Sequence, residues 1–161
     1  KGIDIAVRAF EKLPDKKLYV AGNGPMMEEM QRYVREHHME NVKFLGYLQK
    51  DEMSEKFYQA KAVIMTSQCY EAFAMTIAEA YSYGVPVIAG RVGNMDGMVQ
   101  DGITGVKFTY NSAEDLADKI SAFDAMDLSV LKKNARAFYA ERLRPEDNYQ
   151  KLIRIYEDIS K

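Results

Sequence analysis

The fold is decided by the stretch that runs Ala62-Val63-Ile64-Met65, continues through residues 66–85 and ends at Pro86-Val87-Ile88-Ala89. Both four-residue runs are apolar throughout, which is typical of strands buried on both faces of a parallel sheet. Residues 72–83 between them are predicted to form a helix that stops at Gly84. A strand, a helix and a second strand in this order predict a parallel βαβ unit.

The same alternation extends along the chain in both directions. Further strands are predicted at residues 18–21, 42–45 and 105–108, and residues 90–97 are predicted to form a loop. Further helices are predicted at residues 3–13, 26–38, 51–60, from Ser112 onward, at 128–142 and at 145–159. We therefore expect one domain over residues 1–161, a doubly wound, Rossmann-like α/β fold with a parallel sheet and helices on both faces.

Composition excludes several classes of protein. The chain has 161 residues, of which 47% are hydrophobic and 29% charged, so it is neither disordered nor collagen-like. Its net charge of −2 argues against a nucleic-acid partner. The single cysteine, Cys69, excludes a disulfide framework and suits a reducing compartment. Because the chain opens at Lys1-Gly2, directly before a predicted helix, we expect a piece of a longer protein.

Ligands of open α/β sheets bind off the carboxyl ends of the strands. Four loops follow such ends in the prediction, and we expect the functional site among them. They are Gly22-Asn23-Gly24-Pro25, Gly46-Tyr47, Ser67-Gln68-Cys69-Tyr70-Glu71 and Gly90-Arg91-Val92-Gly93.

Two carboxylates, Glu71 and Glu79, lie eight positions apart across the predicted start of the helix. Eight helical residues rise about 12 Å, which is too far for both acids to act on one glycosidic bond, where separations stay below about 10 Å. The helix N-terminus between them offers free N–H groups near residues 73–76, which suit an anion. This order fits a sugar, a diphosphate and a ribose, although a helix cap and a surface acid are the commoner explanation of the spacing alone.

The sequence gives no sign of a metal site or a dinucleotide fingerprint. His37 and His38 are adjacent and therefore point to different faces of a helix, and the chain has no other histidine. The turn Gly22-Asn23-Gly24-Pro25 lacks the third glycine of a dinucleotide-binding loop. We expect neither a metal nor a cofactor.

Five motifs occur in register. They are Lys1-Gly2, residues 18–25 with their glycine turn, Val42-Lys43-Phe44-Leu45-Gly46, the two glutamates with Phe73, Gly84, Pro86 and Val87, and Asp101-Gly102-Ile103-Thr104-Gly105. Together they resemble the C-terminal, nucleotide-sugar-binding half of group 1 (family 4) retaining glycosyltransferases, whose GT-B fold consists of two facing Rossmann-like domains. The resemblance covers essentially the whole chain and implies that the first strand of this half is missing.

The resemblance implies a role for each matched residue. Glu71, as the catalytic residue, would contact hydroxyls of the donor sugar, and Glu79 the ribose hydroxyls. Lys1 matches the lysine of the family's Arg-(four residues)-Lys-Gly motif, whose arginine would lie upstream. It would neutralise the diphosphate, which N–H groups around the helix start would also hold. The other matched donor-binding residues are Gly22, Gly24, Phe73, Ala74, Met75 and Thr76, with Tyr47 and Leu48 where the family seats the base.

One segment departs from the family pattern. Gly93-Asn94-Met95-Asp96-Gly97 stands in place of the family's Gly-Gly-x-Pro-Glu, so that Asp96 and Gly97 occupy the proline and glutamate positions. This loop is expected near the donor, so the departure bears on sugar specificity and on full activity.

We expect a metal-independent transferase that moves a sugar from a nucleoside-diphosphate sugar to a glycan, lipid or small-molecule acceptor, with retention. The acceptor would bind a missing N-terminal domain, without which the fragment is expected to be inactive. Two alternatives stay open, a sugar-nucleotide epimerase-like GT-B enzyme and a non-catalytic nucleotide-sugar-binding module. We expect a cytoplasmic protein, and peripheral association of the full-length protein with the inner face of the membrane is left open.

Overall fold

The computed structural model describes residues 1–160 as alternating helices and strands. In chain order they are α1 (Ile3–Glu11), β1 (Leu18–Ala21), α2 (Met27–Glu36), β2 (Val42–Gly46), α3 (Lys50–Gln59), β3 (Val63–Met65), α4 (Met75–Ser82), β4 (Val87–Gly90), α5 (Gly93–Met98), β5 (Gly105–Phe108), α6 (Ala113–Phe123), α7 (Leu128–Arg142) and α8 (Pro145–Ile159). The predicted α/β class is confirmed.

All strand pairing is parallel within the described residues, and it forms two ladders. Strand β1 pairs with β2, and β4 lies between β3 and β5. The register places Val63 opposite Val87 and Val87 opposite Gly105. Because the strands of each ladder are parallel, their carboxyl ends lie at the same edge of that ladder. The loops predicted to carry the site follow these ends.

The helices cover two faces, as predicted, and β4 shows this most directly. Its residues 87–90 are all buried. Ile88 packs in one apolar cluster with residues of α1, α2 and α6, whereas Val87 and Ala89 pack in a second cluster with residues of α4, α5 and α7. Successive side chains of a strand point to opposite faces, so one strand contributes to both cores.

Local sequence signals set several helix boundaries. The Ser112 side chain accepts a hydrogen bond from the backbone N–H of Asp115 at 3.1 Å and caps α6, as its position predicts. Asp127 caps α7 in the same way through Ser129 and Val130. Pro145 stands in the first turn of α8, where its missing N–H costs nothing.

Several predicted ends shift by one or two residues, and two larger differences occur around the start of α4 and at α5. The helix predicted over residues 72–83 begins only at Met75, because the amide of Asn94 donates to the Ala72 carbonyl and residues 71–74 remain irregular. Residues 93–98 form the short helix α5 rather than a loop. The side chains of Met95 and Met98 are buried in the second apolar cluster, and this packing outweighs the weak helix propensity of two glycines.

Candidate functional site

The first group of predicted site residues meets at the carboxyl end of β3. The Lys1 ammonium lies 2.5 Å from Oε1 of Glu71, which is 70 positions away in sequence. The buried Ser67 hydroxyl donates to the same oxygen at 2.8 Å. The Lys1 side chain remains 77% exposed and that of Glu71 only 15%. Lys1 and Glu71 therefore lie in contact with each other, and the group also contains Ser67, which sequence analysis did not single out.

A glycine makes this meeting sterically feasible. Gly2 has a φ of +71°, and a Cβ on it would lie 2.0 Å from the carbonyl oxygen of Thr66. Only glycine fits so close to another backbone in this conformation. The Thr66 hydroxyl also donates to the Lys1 carbonyl at 3.2 Å. The backbone of Lys1 and Gly2 is thus held against the end of β3. The Lys1 side chain takes no part in these contacts and is free to contact Glu71.

The electrostatics of the group favour an ionised carboxylate. The hydrogen bond from Lys1 lowers the pKa of Glu71 below its ordinary value, and the bond from Ser67 lowers it further, against the opposing effect of partial burial. Glu71 therefore carries a negative charge at neutral pH. It can accept hydrogen bonds from hydroxyl groups but cannot act as an acid there.

Fewer backbone N–H groups are free at the N-terminus of α4 than the sequence predicts. The Met75 N–H donates to the Phe73 carbonyl and the Ile77 N–H to the Ala74 carbonyl, so both are already engaged. Within residues 1–160, the Thr76 N–H makes no hydrogen bond to the protein and stays available. Ala74 is fully buried, whereas Phe73 and Met75 are exposed. Of the three predicted backbone donors at residues 74–76, the Met75 N–H is thus the one already bonded to a neighbouring carbonyl.

Glu79 lies on the second turn of α4 with an exposed side chain. Because residues 71–74 are not helical, the separation of the two glutamates is not the rise of a continuous helix. The structure does establish where the two glutamates lie along the chain relative to the start of α4. Glu71 precedes the N-terminus of α4 and Glu79 follows it, so the free Thr76 N–H stands between two carboxylates in the chain.

The second group of predicted residues lies beyond β1 and β2. The Gly22 N–H donates to the Gly46 carbonyl at 2.6 Å, which joins the glycine turn to the loop that carries Tyr47 and Leu48. Tyr47 is exposed and Leu48 half-buried, and a Cβ added to Gly24 would have nothing within 4 Å. No hydrogen bond or ion pair within the described part of the chain joins this group to the Lys1 group.

The segment that departs from the family pattern carries a charge cluster. The Lys107 ammonium lies 2.9 Å from Oδ1 of Asp96. The guanidinium of Arg91 lies 2.9 Å from Oδ2 of Asp101 and 3.8 Å from Oδ1 of Asp96. The Lys107 side chain is only 13% exposed. Asp96 thus uses its charge to tie α5 to β5, a role that Gly97 cannot take. Sequence analysis placed Arg91 in a loop near the site but did not predict these ion pairs, because they depend on how α5 packs beside β5.

Two surface cavities lie away from both groups of predicted residues: one of about 270 Å³ beside Glu11 and His37, the other of about 480 Å³ beside Tyr83 and Arg136. Over residues 1–160 no three His, Cys, Asp or Glu side chains come together in a way that could hold a metal ion. None of the helices in that range has the length and apolar character that crossing a membrane requires.

Comparison with known proteins identifies the family. The sequence profile described as "Glycosyl transferases group 1" matches residues 1–137. The chain belongs to the group 1 glycosyltransferases. Its α/β architecture is the Rossmann-like half of the GT-B fold, and the resemblance inferred from the five motifs is confirmed.

Among the relatives of this glycosyltransferase chain is the sulfoquinovosyl transferase SQD2 of Arabidopsis thaliana, which is 29% identical over 141 residues, covering 84% of this chain and 27% of the relative. The structure of sucrose-phosphate synthase from Thermosynechococcus elongatus superposes with a TM-score of 0.86 at 26% identity, over 99% of this chain and 42% of that one. HepE of Anabaena, solved with UDP and glucose, gives 0.86 at 23% identity, over 98% of this chain and 45% of its own. The chain thus spans less than half the length of these relatives.

Proposed function

We propose that this glycosyltransferase chain binds a nucleoside-diphosphate sugar, and that the whole protein transfers the sugar to an acceptor with retention of configuration. The observation that carries the proposal is the meeting of Lys1 and Glu71 directly before the N-terminus of α4. A cation and a free N–H suit a diphosphate, and an ionised carboxylate beside them suits sugar hydroxyls. The complex of the neighbour HepE with UDP and glucose supports this assignment.

In the proposed reaction, the bond between the anomeric carbon and the diphosphate oxygen breaks as the acceptor oxygen forms a new bond on the same face. The acceptor's hydroxyl proton passes to the departing phosphate oxygen. Lys1 and the Thr76 N–H would stabilise the charge that develops on the diphosphate, which is the electrostatic contribution that such sites make to catalysis. Glu71 would hold sugar hydroxyls, and Glu79 the ribose.

The direct test is nucleotide binding without metal. We expect the chain to bind one of UDP, GDP or ADP in calorimetry, with the same affinity in the presence of EDTA as in the presence of Mg²⁺. The reason is that the cation and backbone donors of the site come from the protein itself. A requirement for Mg²⁺ or Mn²⁺ would contradict the metal-independent proposal, and failure of all three nucleotides to bind would contradict donor binding itself.

The two glutamates are expected to divide their labour. Glu79→Ala should weaken binding of the nucleoside diphosphate by about 1.5–3 kcal/mol, the range for hydrogen bonds to charged groups. Glu71→Ala should not weaken it, because loss of the carboxylate frees Lys1 for the phosphates. It should instead remove the additional affinity that the attached sugar provides. Calorimetry with a nucleoside diphosphate and its sugar conjugate measures both effects, and equal losses of diphosphate affinity in the two variants would refute the division.

A further inference from the structure

We propose that Ser67 is a positioning residue that anchors the Glu71 carboxylate, and that Lys1 is an exchangeable counter-ion that leaves Glu71 for the diphosphate when the donor binds. This inference rests on the proposed function, because it concerns how the same site would respond to a bound donor. Its basis is the two hydrogen bonds that Lys1 and Ser67 donate to Oε1 of Glu71.

The two partners of that oxygen differ in their surroundings. The Ser67 residue is 2% exposed, and its hydroxyl donates to Oε1 of Glu71 at 2.8 Å. The Lys1 side chain, by contrast, is 77% exposed. A buried hydroxyl that loses its acceptor leaves an unsatisfied polar group, which is costly. An exposed ammonium that leaves a carboxylate regains water, and such exposed ion pairs contribute little.

The unequal surroundings therefore predict which contact persists. The diphosphate offers Lys1 a stronger, doubly charged partner, so the ion pair is the contact that gives way. The backbone of Lys1 need not move in this exchange, because Gly2 packs on the Thr66 carbonyl and the Thr66 hydroxyl holds the Lys1 carbonyl. Only the long, flexible side chain changes partner.

The second oxygen of Glu71 completes the argument. Both described bonds to the carboxylate use Oε1, and within residues 1–160 Oε2 makes no hydrogen bond or ion pair with the protein. A carboxylate oxygen can accept two hydrogen bonds. Ser67 can therefore fix the orientation of the carboxylate through one oxygen while the other remains free for a ligand hydroxyl.

The test follows the titration of Glu71 by carboxyl carbon NMR, in the free chain and after saturation with whichever of UDP, GDP or ADP binds in calorimetry. The variants are Ser67→Ala, which removes the hydroxyl, and Ser67→Thr, which keeps it. Thr104→Val is the matched control, because Thr104 is 1% exposed and its hydroxyl bonds Tyr81 at 2.7 Å, away from Glu71. Thermal unfolding of each variant is recorded beside the titration.

We expect Ser67→Ala to raise the pKa of Glu71 in both states, Ser67→Thr to restore it, and Thr104→Val to leave it unchanged. In the parent chain, saturation with the nucleotide should raise the pKa of Glu71 because Lys1 departs. Affinity for the sugar conjugate relative to the bare nucleotide should fall about tenfold in Ser67→Ala. A titration of Ser67→Ala identical to the parent in both states would overturn the anchoring role.

Other results are distinguished as follows. If the nucleotide binds but the pKa of Glu71 does not rise, the exchange of Lys1 is overturned while the proposed function stands. If no nucleotide binds, donor binding fails, and the free-state comparison of Ser67→Ala with Ser67→Thr still decides whether Ser67 anchors Glu71.

Discussion

The 161-residue chain, assayed by itself, is expected to bind a nucleotide sugar and to transfer none of it to an acceptor. The matched donor residues lie on loops and on the first two turns of α4, and the chain spans less than half the length of its relatives. Attack needs an acceptor hydroxyl held at the anomeric carbon, and such orientation is worth about 7–11 kcal/mol. Its loss corresponds to about five to eight orders of magnitude in rate.

The measurement uses a radiolabelled sugar nucleotide with a cell extract as the acceptor pool. It compares the chain with a longer product of the same gene, where the gene encodes one, and with the Glu71→Ala variant of that product. Calorimetry on the same preparations controls for donor binding, so that absence of transfer is not confused with absence of donor. Efficient transfer by the chain alone would show that it carries its own acceptor site.

Gly105→Ala is expected to destabilise the chain by about 3 kcal/mol or more, at the upper end of the overpacking range. A Cβ on Gly105 would lie 1.8 Å from the carbonyl oxygen of Val87 and within 2.9 Å of two further backbone atoms of that residue. No side-chain rotation can relieve a clash with backbone, so β4 and β5 would have to separate. Urea unfolding gives the change in free energy directly.

Gly97→Ala is the control for that experiment. Nothing lies within 4 Å of the added methyl group, and Gly97 stands inside α5, where alanine is favoured over glycine by up to about 1 kcal/mol. We expect this variant to be as stable as the parent or slightly more so. The close packing of Gly105 would be of no consequence if both variants unfolded at the same urea concentration.

The alternation of helices and strands could be predicted well from the sequence. Helices α7 and α8 begin at residues 128 and 145, as predicted, because the features that favour these starts, such as Pro145 in a first turn, are local. Helix α5 was missed because its stability comes from the burial of Met95 and Met98, which depends on distant neighbours. The late start of α4 likewise depends on Asn94, a residue about twenty positions downstream of the loop that it holds.

The arrangement of the candidate site could not be predicted from the sequence. Lys1 and Glu71 were predicted from matched family motifs, Lys1 as a contact of the diphosphate and Glu71 as a contact of the donor sugar. Their contact joins residues 70 positions apart and depends on Gly2 fitting against Thr66, a packing relation that no local pattern contains. Serine is common in turns and loops, and only its burial and its hydrogen bond to Glu71 distinguish Ser67.

Strand β4 has a consequence for how the molecule comes apart. Because Ile88 belongs to one apolar cluster and its neighbours Val87 and Ala89 to the other, neither layer of helices can melt while the other survives intact. Unfolding of this strand would remove buried side chains from both apolar clusters at the same time. The chain should therefore lose its structure in one cooperative step, and the loops beyond β3 and β4 would lose their supports together. Their ability to hold a ligand would end at the same temperature as the fold.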